Sequence, residues 1–218
     1  MENIEKNKND IQDGNVFLGI EFGSTRIKSV LINCQNETIA NSSFTWENSF
    51  DNGLWTYPIK QIDLGLQQCY SSLKEDVKNR YGISLKKFKA GGISAMMHGY
   101  LPFDKNDELL VPFRTWRNTT TQEASETLSS LFGFPIPQRW SISHLYQSIL
   151  NNEEHIQKIN FITTLAGYIH WRLTGEKVLG TGDASGMFPI IKEKNSESTY
   201  VKDYISKFNN LIQTRNLP

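Results

Sequence analysis

The sequence predicts a mixed α/β sheet flanked by helices, and three observations carry that expectation. Two apolar runs, Val16 to Ile20 and Ile27 to Ile32, flank a short bend, and Thr38 to Trp46 supplies a third run of strand character. Apolar residues then recur at intervals of three and four through Ile59, Ile62, Leu66, Tyr70, Leu73 and Val77, which is the period of a helix. A further apolar run, Phe88 to Met96, reads as a strand returning to the sheet. Three strands, a helix and a strand fit a sheet covered by helices.

Each element has a local warrant. The short connections among the first three strands call for an antiparallel meander. Pro58 suits the first turn of the helix and Gly82 its end. Thr120 and Glu123 have the spacing of a capping box ahead of Leu128, Leu131 and Phe132, with Gly133 beyond them. Residues 143–151 carry Leu145, Tyr146, Ile149 and Leu150 on one face, and 164–174 place Leu165, Ile169 and Leu173 at helical spacing before Gly175. A polar bridge, Lys192 to Thr199, leads into a last amphipathic helix through Val201, Tyr204, Ile205, Phe208, Leu211 and Ile212. The opening MENIEKNKNDIQDGN has neither an apolar core nor a small-residue cleavage site, so residues 1–15 read as a disordered polar lead-in and 16–218 as the domain.

Composition narrows the function classes. A chain of 218 residues with 38% hydrophobic content can bury a genuine core. Its 23 basic and 23 acidic residues balance, so bulk electrostatics favours neither nucleic acid nor an anionic membrane. No segment has the apolar length to span a bilayer. The two cysteines, Cys34 and Cys69, lie far apart and form no metal-spaced cluster, which suits a reducing cytoplasm. Small neutral or weakly charged partners remain.

Four stretches carry candidate chemistry. In "FLGIEFGSTRIKSVLINC", Gly23 would let backbone N–H groups approach an anion, Ser24 and Thr25 add donors, and Glu21 at a strand end can hold magnesium; a plain turn explains the same residues. In "GGISAMMHGYLPFD", His98 sits where the chain leaves the sheet, a position that lines ligand crevices in α/β folds and equally suits a satisfied histidine. "VPFRTWRNTTT" gathers Trp116, two guanidinium groups and the Asn118 amide, the mixture a sugar site needs, although Trp116 as a core ring with Arg114 and Arg117 solvated fits too. In "GTGDASGMFPI", Asp183 lies among small residues and is a candidate base or a turn cap.

Taken in order, these stretches resemble the amino-terminal half of the FGGY family of carbohydrate kinases. "GIEFGSTRIKSVLI" is similar to the family's opening phosphate loop and "AMMHG" to its Met-His-Gly. "TWRN" falls where the family has Trp-x-Asp-x-Arg, and "LAGYIHWRLTGE" followed by "GDASGMF" is similar to its helix and Asp/Ala/Ser segment. The resemblance implies a ribonuclease-H-like (actin-like ATPase) domain with a mixed five-stranded sheet, using ATP and Mg2+. It implies phosphate contacts at Gly23, Ser24, Thr25 and Arg26, a metal contact at Glu21, and sugar or polyol contacts at Met97, His98, Gly99, Trp116, Arg117, Asn118 and Asp183. The family's general base has no match before Pro218, so the chain reads as a half-enzyme whose partner is its own carboxy-terminal domain, with a homodimer as a further candidate assembly.

Glu21 stands where the family has aspartate, and Asn118 and Thr120 stand for an aspartate and an arginine, which removes the charged clasp expected on the sugar. These departures motivate an alternative, a non-catalytic ATPase-fold metabolite sensor. An actin-like assembly protein is a third reading, disfavoured by the small-ligand character around Trp116 and His98.

Overall fold

The computed structural model describes residues 2–192 and 198–213. In chain order it runs α1 (Glu2–Asp13), β1 (Phe17–Phe22), β2 (Arg26–Ile32), β3 (Thr38–Thr45), β4 (Ser49–Asp51), β5 (Leu54–Thr56), α2 (Ile59–Tyr81), β6 (Ala90–Ala95) and β7 (Leu101–Phe103). Then follow α3 (Gln122–Phe132), α4 (Ser141–Leu150), a 3-10 turn (Glu154–Lys158), β8 (Phe161–Thr163), α5 (Leu165–Thr174), α6 (Thr181–Ser185), β9 (Ile190–Lys192), β10 (Ser198–Tyr200) and α7 (Lys202–Gln213). The chain forms two compact units, Met1–Ser49 with Tyr57–Met96, and Phe50–Thr56 with Met97–Pro218.

The first unit is a four-stranded sheet in the order β3-β2-β1-β6. β1, β2 and β3 form the expected antiparallel meander, with Glu21 opposite Lys28, and β6 runs parallel to β1. Period-two alternation buries Leu18, Ile20, Phe22, Ile27 and Leu31. Helix α2 covers this face through Ile62, Gly65, Cys69, Leu73 and Val77. Gly65 and Cys69 take the central places that periodicity assigned to Leu66 and Tyr70, because the strands lie too close for larger groups: a Cβ on Gly65 would sit 2.3 Å from Ile27 Cδ1. Pro58 leads into the helix and Gly82 closes it with φ 68°, as the sequence predicts.

Two expectations are corrected here. Residues 2–13 are helical rather than a disordered lead-in; Ile11 and Asn7 are buried, and Asn7 accepts a hydrogen bond from Asn33 Nδ2 at 3.1 Å. The helix is held by tertiary contacts that its polar composition does not announce. The sheet has four strands among the described residues rather than five, because the chain reverses after β6 and β7 pairs with β8, Leu101 opposite Thr163.

The second unit is mainly helical. α3, α4 and α7 share a core of Ala124, Leu128, Phe132, Ile142, Tyr146, Ile149 and Phe208. The expected capping box is absent: α3 is preceded by Thr121, whose hydroxyl donates to Gln138 O at 2.6 Å instead. Thr164 does cap α5, accepting from Gly167 N at 3.1 Å. Of the polar bridge expected over 192–199, residues 193–197 lie outside the described residues.

A buried polar cluster threads this unit. Arg114, expected to be solvated or to serve a sugar, is instead buried and paired bidentately with Glu153, and it donates to Ser148 Oγ at 2.9 Å. His155 lies 3.5 Å from the Glu153 carboxylate and shares a hydrogen bond with Tyr100 Oη at 2.9 Å. His144 is fully buried against the Tyr100 ring, with no hydrogen-bond partner for either ring nitrogen among the described residues. Burial first, and then the Arg114 cation, push its imidazole down from 6.5 to about 3 against the opposing pull of Glu153. The unfolded chain therefore takes up a proton as pH falls below 6.5, while the folded chain resists until about 3, so stability is lost progressively across that window. Replacing His144 with leucine should make the slope of unfolding free energy between pH 6 and 4 shallower by close to one proton, about 1.4 kcal/mol per pH unit. Urea unfolding at a series of pH values measures this, and an unaltered slope would contradict it.

Candidate functional site

In the first unit the β1–β2 hairpin closes with Gly23 N–H donating to Arg26 O at 3.0 Å, which leaves Ser24, Thr25 and Arg26 exposed at the tip. Gly23 does not occupy the left-handed region; what a side chain there would meet is the Arg26 carbonyl, 3.1 Å from its Cβ. The glycine therefore serves close backbone approach and not an unusual turn. Glu21, opposite Lys28 in the next strand, meets its ammonium at 3.3 Å, and both side chains are half exposed. Such a pair contributes about 0–1 kcal/mol, so the carboxylate is readily recruited by a stronger cation. Among the described residues no cluster of three His, Cys, Asp or Glu is placed to hold a metal, so Glu21 belongs to no such preformed cage.

In the second unit His98 and Gly99 form a turn of two consecutive left-handed residues, with φ 70° and 93°. A non-glycine residue in that region costs about 1–2 kcal/mol and persists only where its surroundings fix it. Here Gly99 N–H donates to Arg139 O at 3.1 Å, Ser141 Oγ donates to Gly99 O at 2.6 Å, and Tyr100 N–H donates to Arg114 O at 2.9 Å. A Cβ on Gly99 would lie 2.6 Å from the Arg114 carbonyl, so the position requires glycine on both counts. His98 Nδ1 approaches Gly186 O at 3.5 Å, and a Cβ on Gly186 would come within 2.5 Å of that nitrogen. Burial lowers the His98 pKa, with the nearby Arg139 adding to the effect and the Gly186 carbonyl opposing it. The ring is neutral at pH 7, and with Nδ1–H on the Gly186 carbonyl it presents Nε2 as an acceptor. Asp183 sits in α6, three residues before Gly186; burial raises its pKa, partly offset by a hydrogen bond from Thr164. Met97 is 46% exposed beside this turn in the sequence.

The remaining predicted residues divide. Trp116 is 44% exposed and so is not a core ring, and the Arg117 guanidinium lies 4.0 Å above the Trp55 ring as a cation–π pair. Asn118 is buried and committed to the scaffold: its Oδ1 accepts from Trp55 N–H at 2.8 Å, and its Nδ2 donates to Trp55 O at 2.8 Å and Thr115 O at 3.0 Å. It was expected on the sugar; it instead anchors strand β5. Thr120 is exposed.

Sequence reasoning overlooked the β4–β5 hairpin that brings Trp55 into place, with Phe50 packed on it at 5.0 Å. Its signal was present, because Asn52-Gly53 is a strong two-residue hairpin dipeptide and both residues adopt positive φ, 49° and 83°. Trp46 and Tyr57, which touch the tip of the β1–β2 hairpin, carried no local signal at all.

Solved structures similar to this chain include sugar kinases, which share its actin-like ATPase fold. Ligand-bound xylulose kinase from Lactobacillus acidophilus has a TM-score of 0.72 and 22% identity, matching 89% of this chain and 40% of that one. Plasmodium falciparum glycerol kinase with ADP has a TM-score of 0.70 and 17% identity, over 89% and 41% respectively. The chain belongs to the FGGY family of carbohydrate kinases, matching the family's N-terminal domain over residues 16–197. It is 23% identical to the xylulose kinase of Haemophilus influenzae over 193 residues, 82% of this chain and 39% of that protein. It is 25% identical to that of Escherichia coli over 185 residues, 78% of this chain and 36% of that protein. The chain thus spans about two fifths of the length of the curated relatives it matches.

The Asn118 geometry yields a sharp expectation. Asn118→Asp keeps the shape but turns a carboxylate toward the Trp55 and Thr115 carbonyls in a buried site, which should cost about 2–3 kcal/mol, the upper part of the usual penalty for an unsatisfied buried group. Denaturant unfolding measures the loss, and a change of Trp55 fluorescence should accompany it.

Proposed function

We propose that this chain is the N-terminal portion of a kinase that transfers the terminal phosphoryl group of ATP to a hydroxyl of a sugar or polyol. The observation that carries this reading is the exposed tip of the β1–β2 hairpin, where two hydroxyls and backbone N–H groups lie beside the Glu21 carboxylate. Ser24, Thr25 and Arg26 would bind the polyphosphate through hydroxyl, amide and guanidinium donors. Glu21 would hold Mg2+, which commonly takes one or two carboxylates together with phosphate oxygens and water, and the ion would neutralise phosphate charge. A half-exposed carboxylate outside any cluster of three suits that mode better than an all-protein cage.

The second unit would supply sugar contacts. Neutral His98 accepts a hydrogen bond from a sugar hydroxyl at Nε2, Trp116 offers a flat face to C–H groups, and Arg117, flattened on Trp55, keeps its edge donors for oxygen atoms. Met97, Gly99 and Asp183 frame the same turn in this reading, and Asn118 acts on the sugar only through Trp55. The sugar oxygen attacks the terminal phosphorus, the bond to the bridging oxygen breaks, and ADP leaves. The hydroxyl proton passes to an aspartate expected in a carboxy-terminal domain. Catalysis of this kind rests on positioning and charge neutralisation.

Two measurements on the full-length protein test the assignment. His98→Ala removes an acceptor at a partly buried position, worth about 1–3 kcal/mol, so the KM for the sugar should rise roughly tenfold while the KM for ATP holds. Glu21→Gln should depress turnover and raise the Mg2+ concentration needed for half-maximal rate, with Glu21→Asp better tolerated. An unchanged Mg2+ dependence for Glu21→Gln would return the hairpin to a plain turn, and absent sugar-dependent ADP formation would favour the metabolite-sensor alternative.

A further inference from the structure

Three hydrogen bonds from outside the turn hold its carbonyls. Trp46 Nε1–H donates to Gly23 O at 2.8 Å, Tyr57 O–H donates to Ser24 O at 2.6 Å, and Trp46 N–H donates to Thr25 O at 3.2 Å. In a planar trans peptide the C=O and the N–H of the following residue point in opposite directions. Drawing the Gly23 and Ser24 carbonyls onto Trp46 and Tyr57 therefore aims the N–H groups of Ser24 and Thr25 the other way. Neither of these N–H groups has an acceptor among the described residues, and both residues are exposed.

The two tethering side chains are themselves immobilised. Trp46 and Tyr57 are 4% and 1% exposed, their rings lie 4.3 Å apart, and Phe22 packs edge-on against Trp46 at 5.8 Å. The Tyr57 hydroxyl also accepts from Asn48 Nδ2 at 3.4 Å, which leaves its proton for Ser24 O.

We propose that Trp46 and Tyr57 are positioning residues for polyphosphate: they turn the hairpin carbonyls inward so that the Ser24 and Thr25 amides form an outward-facing pair of anion donors. The inference rests on the reading of the turn as a phosphate site and adds the devices that pre-orient it. Without the Tyr57 hydroxyl, the Ser24–Thr25 peptide is free to rotate. A carbonyl oxygen turned toward phosphate oxygens replaces attraction with repulsion.

The test uses this chain, 15N-labelled and titrated with magnesium tripolyphosphate, an inorganic probe that needs no adenine site. In the wild type the Ser24 and Thr25 amide resonances should move in proportion to occupancy. Tyr57→Phe keeps the buried ring and removes one oxygen, so affinity should fall by roughly three- to tenfold, the range of one neutral hydrogen bond, with the rest of the amide spectrum unchanged. Trp46→Phe, which removes the indole donor to Gly23 O, should weaken binding similarly and gives a second reading if the first variant is perturbed. Wild-type binding at these amides that both variants reproduce at full affinity would overturn the positioning role and leave the phosphate site standing. No movement of the Ser24 and Thr25 resonances in the wild type would overturn the phosphate site and this inference with it.

Discussion

The seating of helix α2 on strands β2 and β3 is the constraint on which the first unit depends. Gly65 lets the helix come down until Ile27 and Phe44 occupy the place of a side chain, at 2.3 and 3.0 Å from where a Cβ would lie. A glycine inside a helix costs about 1 kcal/mol relative to alanine, and the close approach it permits offsets that by burying Ile62, Leu73 and Val77 on the sheet. Ser42 and Ser29 extend the same contact, both reaching the Cys69 carbonyl. The consequence reaches the hairpin tip. Tyr57 and Pro58 lead directly into α2, so the depth at which the helix lies sets where the Tyr57 hydroxyl ends, and that hydroxyl holds the Ser24 carbonyl.

In the second unit a charge network plays the corresponding part. A buried guanidinium is tolerable only when paired and hydrogen-bonded, and Arg114 meets Glu153 and Ser148 while its guanidinium carbon lies 5.4 Å from the centre of the Tyr100 ring. Burial alone would raise the Glu153 pKa; the hydrogen bonds and charge of Arg114, aided by His155, overcome it and hold the carboxyl below its usual value. Because Arg114 also pairs backbone to backbone with Tyr100, the network fixes the extended chain that follows His98 and Gly99. The left-handed turn is thus held on both sides, by the Arg139 carbonyl and Ser141 hydroxyl on one and by the Arg114 backbone paired with Tyr100 on the other.

Strong ordering of scaffold around exposed chemistry is common to both units. The groups proposed as ligand contacts, Glu21, Ser24, Thr25, Trp116 and Arg117, are exposed, whereas Trp46 and Tyr57, which hold the hairpin carbonyls, and Asn118, which holds the Trp55 backbone, are buried with their polar atoms paired. Pre-orientation of this kind lowers the ordering cost of binding, because the donors do not have to be gathered when the ligand arrives.

Local physics made much of the fold legible. β1, β2, β3, α2 and β6 follow from period-two and period-three-to-four patterns with short connections, and Thr164 and Gly175 bracket α5 as capping chemistry requires. The sequence also determined which residues cluster as candidate ligands, since Glu21 to Arg26 and Met97 to Gly99 are contiguous and keep their proximity in any fold. Tertiary structure alone decided the rest. A polar helix at residues 2–13 is stable only because Asn33 and a buried Ile11 hold it, and Asn118 becomes a scaffold clamp only because Trp55, distant in sequence, offers a backbone N–H and C=O to its amide. The direction in which the Ser24 and Thr25 amides face was likewise invisible in the sequence, because a peptide plane takes its orientation from whatever binds its carbonyl, and here those partners are Trp46 and Tyr57.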